Sequence, residues 1–197
     1  AVEEHLYQPE HIEKIVAWGG FASVKHVTRY IQPGLELIAL DPKRSATIIG
    51  PEAFADDDTL REVARRAACD VGAGNQEGCV NARVIYVMSG TDDAGLANAN
   101  RLGELMYRAL LELPEFISTK PKVVDRTLLE HIEGSRLTDD WYQVYGGEHG
   151  EGAIIVSQLD EAVSYSTLLS GRVANIVPVD SIDKVTDAVN AYTQTIG

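Results

Sequence analysis

The sequence is short of cysteine, with only Cys69 and Cys79 among 197 residues. Two cysteines do not make the disulfide framework of a small secreted domain or the ligand set of a structural zinc site. We therefore predict reduced thiols and no bound metal. Since reduced thiols are typical of the cytoplasm, we also expect a cytoplasmic location.

Basic residues are scarce as well. The chain has 17 Lys and Arg against 30 Asp and Glu, a formal net charge of -13. Proteins that bind nucleic acid concentrate Lys and Arg, and anionic membranes attract basic patches, so the charge argues against both partners. No stretch approaches the roughly 18 apolar residues of a transmembrane helix, so we expect no membrane insertion.

Hydrophobic residues make up 45% of the chain, enough for a sizeable core that needs no disulfide or structural metal. Short apolar runs alternate with amphipathic stretches, a pattern that predicts an α/β fold with a largely parallel sheet. The predicted strands are 15–18, 35–40, 83–88, 141–145, 153–156 and 173–179, with a break after the second at Asp41-Pro42. The predicted helices are a short one near residues 24–31, then 58–71, 92–113, 127–132 and 181–193.

Residues 72–78, Gly-Ala-Gly-Asn-Gln-Glu-Gly, look like a dinucleotide-binding fingerprint. That fingerprint follows a strand and opens a helix, so that phosphate meets the helix N-terminus. Here a helix precedes the glycines and a strand follows them, so we reject the nucleotide-loop interpretation.

We interpret the same segment as a loop that presents Cys79. Gly74 and Gly78 give the backbone freedom beside the sulfur, and a thiolate is a strong nucleophile for acyl transfer. Backbone N–H groups near Cys79 are available to an oxyanion. The alternative is that Cys79 is a small buried hydrophobe, the commonest fate of a free cysteine. Cys69, in an alanine-rich helix, fits that alternative well.

Asn75-Gln76-Glu77-Gly78-Cys79 resembles the Asn-Gln-x-x-Cys signature that precedes the catalytic cysteine of aldehyde dehydrogenases. Residues 16–20 (Val-Ala-Trp-Gly-Gly), 42–45 (Pro-Lys-Arg-Ser) and 173–179 resemble further segments of that superfamily in the same order. The details at 18–20, 42–43 and 171–173 are most similar to bacterial long-chain acyl-CoA reductases, the branch that supplies aldehyde for bioluminescence.

The resemblance implies a three-layer, aldehyde-dehydrogenase-like α/β domain that is a fragment of a larger enzyme and inactive alone. Residues 1–40 would close a nucleotide-binding domain, and residues 41–197 would form most of the cysteine-bearing catalytic domain, truncated at its C-terminus. The parent enzyme would reduce a fatty acyl-CoA or other acyl thioester to an aldehyde with NADPH. Cys79 would carry the acyl group, Asn75 would shape its loop, and Gly19 and Gly20 would lie beside the cofactor. We expect a homo-oligomer or an acyl-transfer complex.

Two departures from the superfamily bear on mechanism. With Lys43 as the anchor, the general-base glutamate falls at Ala39, and a late glutamate that holds the nicotinamide ribose is not found near Gly171. A missing base disfavours hydrolysis and suits a reductase. A rival alignment, which needs three extra residues before Lys43, would make Glu36 the base.

Two other functions remain open from the sequence: a short-chain acylating aldehyde dehydrogenase, and a non-catalytic acyl-carrying or scaffold domain of the same fold. Two local features are also ambiguous. The loop 146–152, Gly-Gly-Glu-His-Gly-Glu-Gly, groups His149 with two carboxylates, but we favour a mobile, solvated loop over a metal or acid/base site. We expect Trp18 to be a core aromatic rather than a stacking platform.

Overall fold

The computed structural model describes residues 2–40 and 43–197. The chain divides into two compact units, Ala1–Lys43 and Arg44–Gly197. The first unit contains helices α1 (Val2–Leu6) and α2 (Phe21–Thr28) and strands β1 (Lys14–Trp18) and β2 (Glu36–Leu40). The predicted break at Asp41-Pro42, and Pro42 of the 42–45 motif, lie outside the described residues.

The first unit is built on a parallel pair of strands. β1 and β2 run in register from Lys14 opposite Glu36 to Trp18 opposite Leu40, and α2 lies between them in sequence. Side chains alternate across a strand, so Ile15 is buried while Trp18 is 79% exposed. Our expectation that Trp18 is a core aromatic is therefore wrong in this unit.

The second unit is built on a six-stranded sheet with the order β5-β6-β7-β4-β3-β8. Its strands are β3 (Arg44–Ile49), β4 (Ala82–Val87), β5 (Tyr142–Gly146), β6 (Ala153–Ser157), β7 (Val173–Pro178) and β8 (Thr193–Ile196). All neighbours pair in parallel except β5, which runs antiparallel to β6 at one edge. Every residue of β6 and β7 is buried, as expected for parallel strands covered on both faces.

Helices cover both faces of this sheet. They are α3 (Asp57–Gly72), α4 (Asp93–Leu111), α5 (Arg126–Arg136) and α6 (Ile182–Ala188). α3 and α4 pack against one face, around Met106 and Ile176, and α5 and α6 supply Ile132 and Val185 to the other. The predicted α/β fold with a mostly parallel sheet is confirmed, and it has three layers.

Aspartates fix where three of the helices begin. The Asp56 side chain accepts a hydrogen bond from the Thr59 N–H, and Asp92 and Asp125 cap α4 and α5 in the same way. Such caps satisfy N–H groups that have no partner within the helix. No helix in residues 2–40 and 43–197 is long and apolar enough to cross a membrane.

The end of the chain differs from the prediction. The helix predicted over 181–193 stops at Ala188, because Val189 is extended and Asn190 folds into a turn, its side-chain oxygen accepting from the Tyr192 N–H at 2.9 Å. The following residues form β8 against β3. Neither β3 nor β8 was expected from the sequence. β8 has only four residues, and it is defined by its pairing with the distant β3.

Candidate active site

The segment that carries Cys79 is a tight turn between α3 and β4, hereafter the cysteine turn (residues 72–83). After Gly72 the chain passes through three consecutive left-handed residues, Gly74, Asn75 and Gln76, with φ of 55°, 58° and 63°. Residues other than glycine rarely adopt this conformation, at a cost of about 1–2 kcal/mol each. Neighbouring contacts must therefore hold the turn in place.

Gln76 provides the deepest of these contacts. Its side chain is 1% exposed, and its Nε2 donates to the carbonyl oxygens of Ala82 and Val173, both at 2.9 Å. Its Oε1 accepts from the Val173 N–H at 3.0 Å. One amide thus ties the turn to the first residues of β4 and β7, two central strands of the sheet.

Asn75 anchors the turn on its other side. Its Oδ1 accepts from the Thr119 N–H at 2.7 Å and from the Ser118 hydroxyl at 3.1 Å, and its Nδ2 donates to Thr119 Oγ1 at 3.1 Å. The Gly74 N–H donates to the Ile117 carbonyl oxygen nearby. All the polar atoms of the Asn75 side chain are therefore engaged by the segment after α4, an arrangement that shapes the turn.

Cys79 is half-buried, as is Cys69 on α3. The Cys79 carbonyl oxygen accepts a hydrogen bond of 2.7 Å from Ser45 Oγ at the start of β3. On the preceding residue, the Gly78 N–H donates to Asn81 Oδ1 at 3.0 Å. The main chain on both sides of the sulfur is thus fixed by buried side chains.

Arg83 binds the inner side of the same turn. Its guanidinium donates to the carbonyl oxygens of Gln76, Gly78 and Asn81 at 3.0–3.3 Å. Its Nε donates to the Leu169 carbonyl oxygen at 3.0 Å. One cation therefore gathers the carbonyl groups that flank Cys79 and joins them to the chain before β7.

The electrostatic surroundings of Arg83 are unusual. Burial lowers the pKa of Arg83, the nearby positive charge of Arg44 lowers it further, and Cys79 acts in the opposite direction. The last effect means that the thiol lies within electrostatic reach of the guanidinium.

A cavity of about 780 Å³ opens beside the turn. Asn75, Gln76 and Glu77 form one wall, and the segment from Pro121 to Asp125 forms part of another. A second cavity, of about 220 Å³, has Arg44 and Ser45 in its lining. Arg83 lines both cavities, so the turn stands beside space large enough for small-molecule groups.

Gly19 and Gly20 lie in the first unit, where β1 ends and α2 begins. Gly20 is the extended residue before α2, and a Cβ added to it would meet nothing within 4 Å. Its carbonyl oxygen accepts the first helical hydrogen bonds, from Ser23 and Val24. Open space at a helix N-terminus suits an anionic group such as a dinucleotide phosphate, so Gly20 fits the expected cofactor.

Comparison with known families decides the classification. A family model described as acyl-CoA reductase (LuxC) matches residues 3–197. The chain belongs to this family. A comparison with curated proteins gives no match.

Solved structures place this LuxC-family chain in the aldehyde dehydrogenase fold. An indole-3-acetaldehyde dehydrogenase mutant from P. syringae, in complex with NAD⁺ and IAA, is 17% identical with a TM-score of 0.69, covering 98% of this chain and 40% of that one. The NADP-dependent glyceraldehyde-3-phosphate dehydrogenase of Bacillus halodurans, complexed with NADP, is 13% identical with a TM-score of 0.65, covering 94% and 39%. The chain thus spans about two fifths of the length of these structures.

Glu36 and Ala39, the two positions considered for the superfamily's general base, lie near opposite ends of β2. Glu36 sits at the start of β2, where its carboxylate pairs with Lys14 Nζ at 3.0 Å. Ala39 lies three residues further on, about 10 Å along the strand, at the end where β1 leads into Gly19. The choice between the Lys43-anchored alignment, which puts Ala39 at the position of the base, and the rival alignment, which puts Glu36 there, remains a prediction for this LuxC-family chain.

We expected the loop 146–152, hereafter the glutamate turn, to be mobile and solvated, but the structure holds it by hydrogen bonds to one carboxylate. The Glu151 carboxylate accepts from the Tyr107 hydroxyl at 3.0 Å and from the N–H groups of Gly147 and His149 at 2.9 and 2.8 Å. Among the residues that the structure describes, no cluster of three or more His, Cys, Asp or Glu side chains is suited to a metal. Glu151 here serves as an anchor for its own turn.

Sequence reasoning missed three side chains that hold the cysteine turn: Ser45, Asn81 and Arg83. Arg83 did carry a signal, because it stands in the otherwise apolar strand segment Ala-Arg-Val-Ile-Tyr-Val. A charged residue in a buried parallel strand needs dedicated partners. Here those partners are the carbonyl groups around Cys79.

Proposed function

We propose that this chain is the cysteine-bearing part of an NADPH-dependent acyl-CoA reductase that releases a fatty aldehyde through a thioacyl-enzyme at Cys79. The family match over residues 3–197 carries the proposal. The geometry of the cysteine turn supports it, since a half-buried thiol on a firmly held turn is a suitable acyl carrier. The activity is a property of the whole enzyme.

In this proposal the Cys79 sulfur attacks the thioester carbonyl, and coenzyme A leaves as its thiol. The carbonyl oxygen becomes an oxyanion during the attack and needs a nearby donor. The Cys79 main-chain N–H has no partner in the part of the chain that the structure describes, so it is available for this purpose. Arg83 and Ser45 keep that peptide in place without needing to touch the substrate.

The nicotinamide cofactor, when bound, supplies the hydride that reduces the acyl group. Gly19 and Gly20 would hold it, because a side chain at Gly20 would project into the space beside the first turn of α2. The cysteine turn then has to keep the acyl group in place and away from water until the aldehyde is released.

Mass spectrometry of the intact enzyme after incubation with a fatty acyl-CoA tests the nucleophile. We expect one acyl group on the peptide that contains Cys79. Cys79→Ser should abolish the adduct, while the matched variant Cys69→Ser should retain it. Acylation at Cys69, or labelling of Cys69 by iodoacetamide before Cys79, would contradict the assignment.

Oxidation of NADPH separates a reductase from an acyl carrier. A carrier of the same fold would be acylated at Cys79 and then stop. A reductase consumes NADPH in proportion to the aldehyde formed, and Cys79→Ser removes both signals. Acylation without any oxidation of NADPH by the wild-type enzyme would favour the scaffold function instead.

The missing general base gives a further test. A positioned base is worth about 10²–10⁴-fold in proton transfer, and the methyl group of Ala39 offers none. Ala39→Glu should therefore increase hydrolysis of the acyl-enzyme to free fatty acid. Glu36→Gln is the matched control and should leave hydrolysis unchanged. A large loss of native hydrolysis in Glu36→Gln would show that the alignment is wrong.

A further inference from the structure

The smaller cavity, of about 220 Å³, differs in its chemistry from the rest of this acidic chain. Two arginines, Arg44 and Arg83, line it, and no carboxylate is among its lining residues. The remaining polar groups of the lining are hydroxyls and one amide, from Ser45, Tyr86, Ser166, Thr167, Asn190, Tyr192 and Thr193. The cavity is therefore a local concentration of positive charge and hydrogen-bond donors.

Within the described residues, no carboxylate neutralises the two positive charges. No carboxylate of residues 2–40 and 43–197 forms an ion pair with Arg44 or Arg83. Burial lowers the pKa of both guanidinium groups, and the charge of Arg44 lowers that of Arg83 further. Two partly desolvated, mutually repelling cations are costly without a counter-ion. An anion between them would offset both the burial and the repulsion.

Some guanidinium N–H groups of Arg44 and Arg83 also have no acceptor among the described residues. Arg83 uses its Nε, its Nη1 and one Nη2 contact on main-chain carbonyl oxygens. Arg44 donates from Nη2 to the Thr167 carbonyl oxygen at 2.5 Å. Its Nε and Nη1 have no protein partner among the described residues. This bond fixes the planar guanidinium at the cavity wall with free donors, the geometry by which arginine binds oxyanions.

We propose that this cavity is a binding site for a phosphate-class oxyanion, either free inorganic phosphate or a phosphate group carried by a substrate or coenzyme. A tetrahedral dianion offers acceptor oxygens to several donors at once, which suits two guanidinium groups and the hydroxyls around them. The site adjoins the cysteine turn through two residues, because Ser45 and Arg83 both line the cavity and both bond to the main chain near Cys79. The proposal does not depend on Cys79 being the nucleophile.

Isothermal calorimetry of the intact protein with inorganic phosphate tests the site, with ionic strength held constant by sodium chloride. We expect saturable binding that weakens by about tenfold or more in Arg44→Met, since a charge-assisted hydrogen bond and half of the positive charge are lost. Arg44→Lys, which keeps the charge and loses the planar fork, should be intermediate. Arg126→Met, at an exposed arginine of α5, is the control and should bind like the wild type.

Arg44 is chosen over Arg83 because Arg83 also holds the cysteine turn, so its loss would confuse binding with folding. Unfolding by heat in the same buffers checks that Arg44→Met is folded, and phosphate should raise the wild-type midpoint more than that of the variant. An absence of phosphate binding, or binding that is equal in the wild type and Arg44→Met, would overturn the proposal.

Competition identifies the source of the phosphate. Coenzyme A, 3′-dephospho-coenzyme A and pantetheine are titrated against bound phosphate. If coenzyme A displaces the bound phosphate and 3′-dephospho-coenzyme A does not, the site binds a phosphate group carried by the coenzyme. Arg44-dependent binding of inorganic phosphate that none of the three displaces assigns it to free phosphate. Acyl-enzyme formation at Cys79, measured separately, shows whether the proposed reductase function stands irrespective of this result.

Discussion

The cysteine turn and the glutamate turn resemble each other in sequence and differ in what holds them. Both are rich in glycine, both contain residues with positive φ, and each leads into a central strand of the same sheet, β4 or β6. The cysteine turn is anchored by the amides of Gln76 and Asn75 and by the guanidinium of Arg83. The glutamate turn is anchored by the carboxylate of Glu151.

The choice of anchor determines how each turn responds to conditions. Amides do not titrate, and a guanidinium keeps its charge throughout the physiological range. The geometry around Cys79 should therefore persist from acid to neutral pH. A carboxylate anchor is lost once it is protonated, so the glutamate turn should loosen in acid. Glycine-rich composition alone does not distinguish a rigid turn from a pH-sensitive one, but the anchor does.

The largest effect is expected at Gln76. Gln76→Ala removes three buried hydrogen bonds and leaves the Val173 N–H without its side-chain acceptor, and an unsatisfied buried group costs about 1–3 kcal/mol. We expect the free energy of unfolding to fall by about 3 kcal/mol or more in chemical denaturation. Gln143→Ala, at a glutamine whose bond to the Asp139 carbonyl is exposed, is the control and should change it little. Equal, small losses would mean that the cysteine turn is not held by its buried amide.

A smaller effect is expected at Asn75, where two variants separate backbone strain from anchoring. Asn75→Gly loses the bonds to Ser118 and Thr119 but accepts the left-handed backbone, whereas Asn75→Ala loses the bonds and retains the strain. We expect Ala to be the less stable variant by about 1 kcal/mol. Both should slow acylation of Cys79 if the anchor positions the thiol. Unchanged acylation in both would limit Asn75 to a role in stability.

Glu151 should give a pH-dependent effect. Burial raises the pKa of Glu151, but hydrogen bonds from its own N–H, His149, Tyr107 and Gly147 outweigh this and lower it below its ordinary value of 4.5. The stabilisation is then present above pH 4.5 and is lost as pH falls through the folded-state pKa. Glu151→Gln should be less stable than the wild type at neutral pH, and the gap should close in acid. A gap that is independent of pH would contradict the carboxylate anchor.

The smallest effect concerns Tyr107 at alkaline pH. Burial, the hydrogen bond to Glu151 and nearby negative charge raise the pKa of Tyr107 to about 12. A raised pKa means that its contribution is complete below its ordinary value of 10 and is lost as pH rises through about 12. Tyr107→Phe should remove this component from the stability profile between pH 10 and 12. Identical alkaline profiles for the two proteins would exclude it.

The sequence predicted the structural features that depend on neighbouring residues. The helix–loop–strand setting of Cys79 follows from the periodicity of residues 58–71, the glycines that follow and the apolar run at 83–88, and it is found as predicted. The contacts that hold the turn were not predictable, because Gln76 bonds to Val173 and Ser45 bonds to Cys79 across long stretches of sequence. Periodicity reports which face of an element is apolar, but not which distant carbonyl a polar side chain will meet.

The exposed Trp18 and the missed β3 and β8 have a related cause. Side chains alternate between the two faces of β1, so Trp18 lies on the face opposite to that of Ile15 and Ala17. Ile15 and Ala17 are buried, and the face that carries Trp18 is exposed in this unit. Strand propensity depends strongly on context, and β8 has only four residues. β8 forms because its main chain can pair with the edge of β3.

That arrangement of β3 has a kinetic consequence. β3 begins at Arg44 and lies between β4 and β8, and β8 begins only at Thr193. The chain must therefore close a loop of about 150 residues before β3 has both its neighbours, and such loop closure costs entropy before any contact repays it. Domains rich in non-local parallel pairing fold slowly. We expect refolding of the second unit to be slow, with the last protected amides appearing where β3 meets β8.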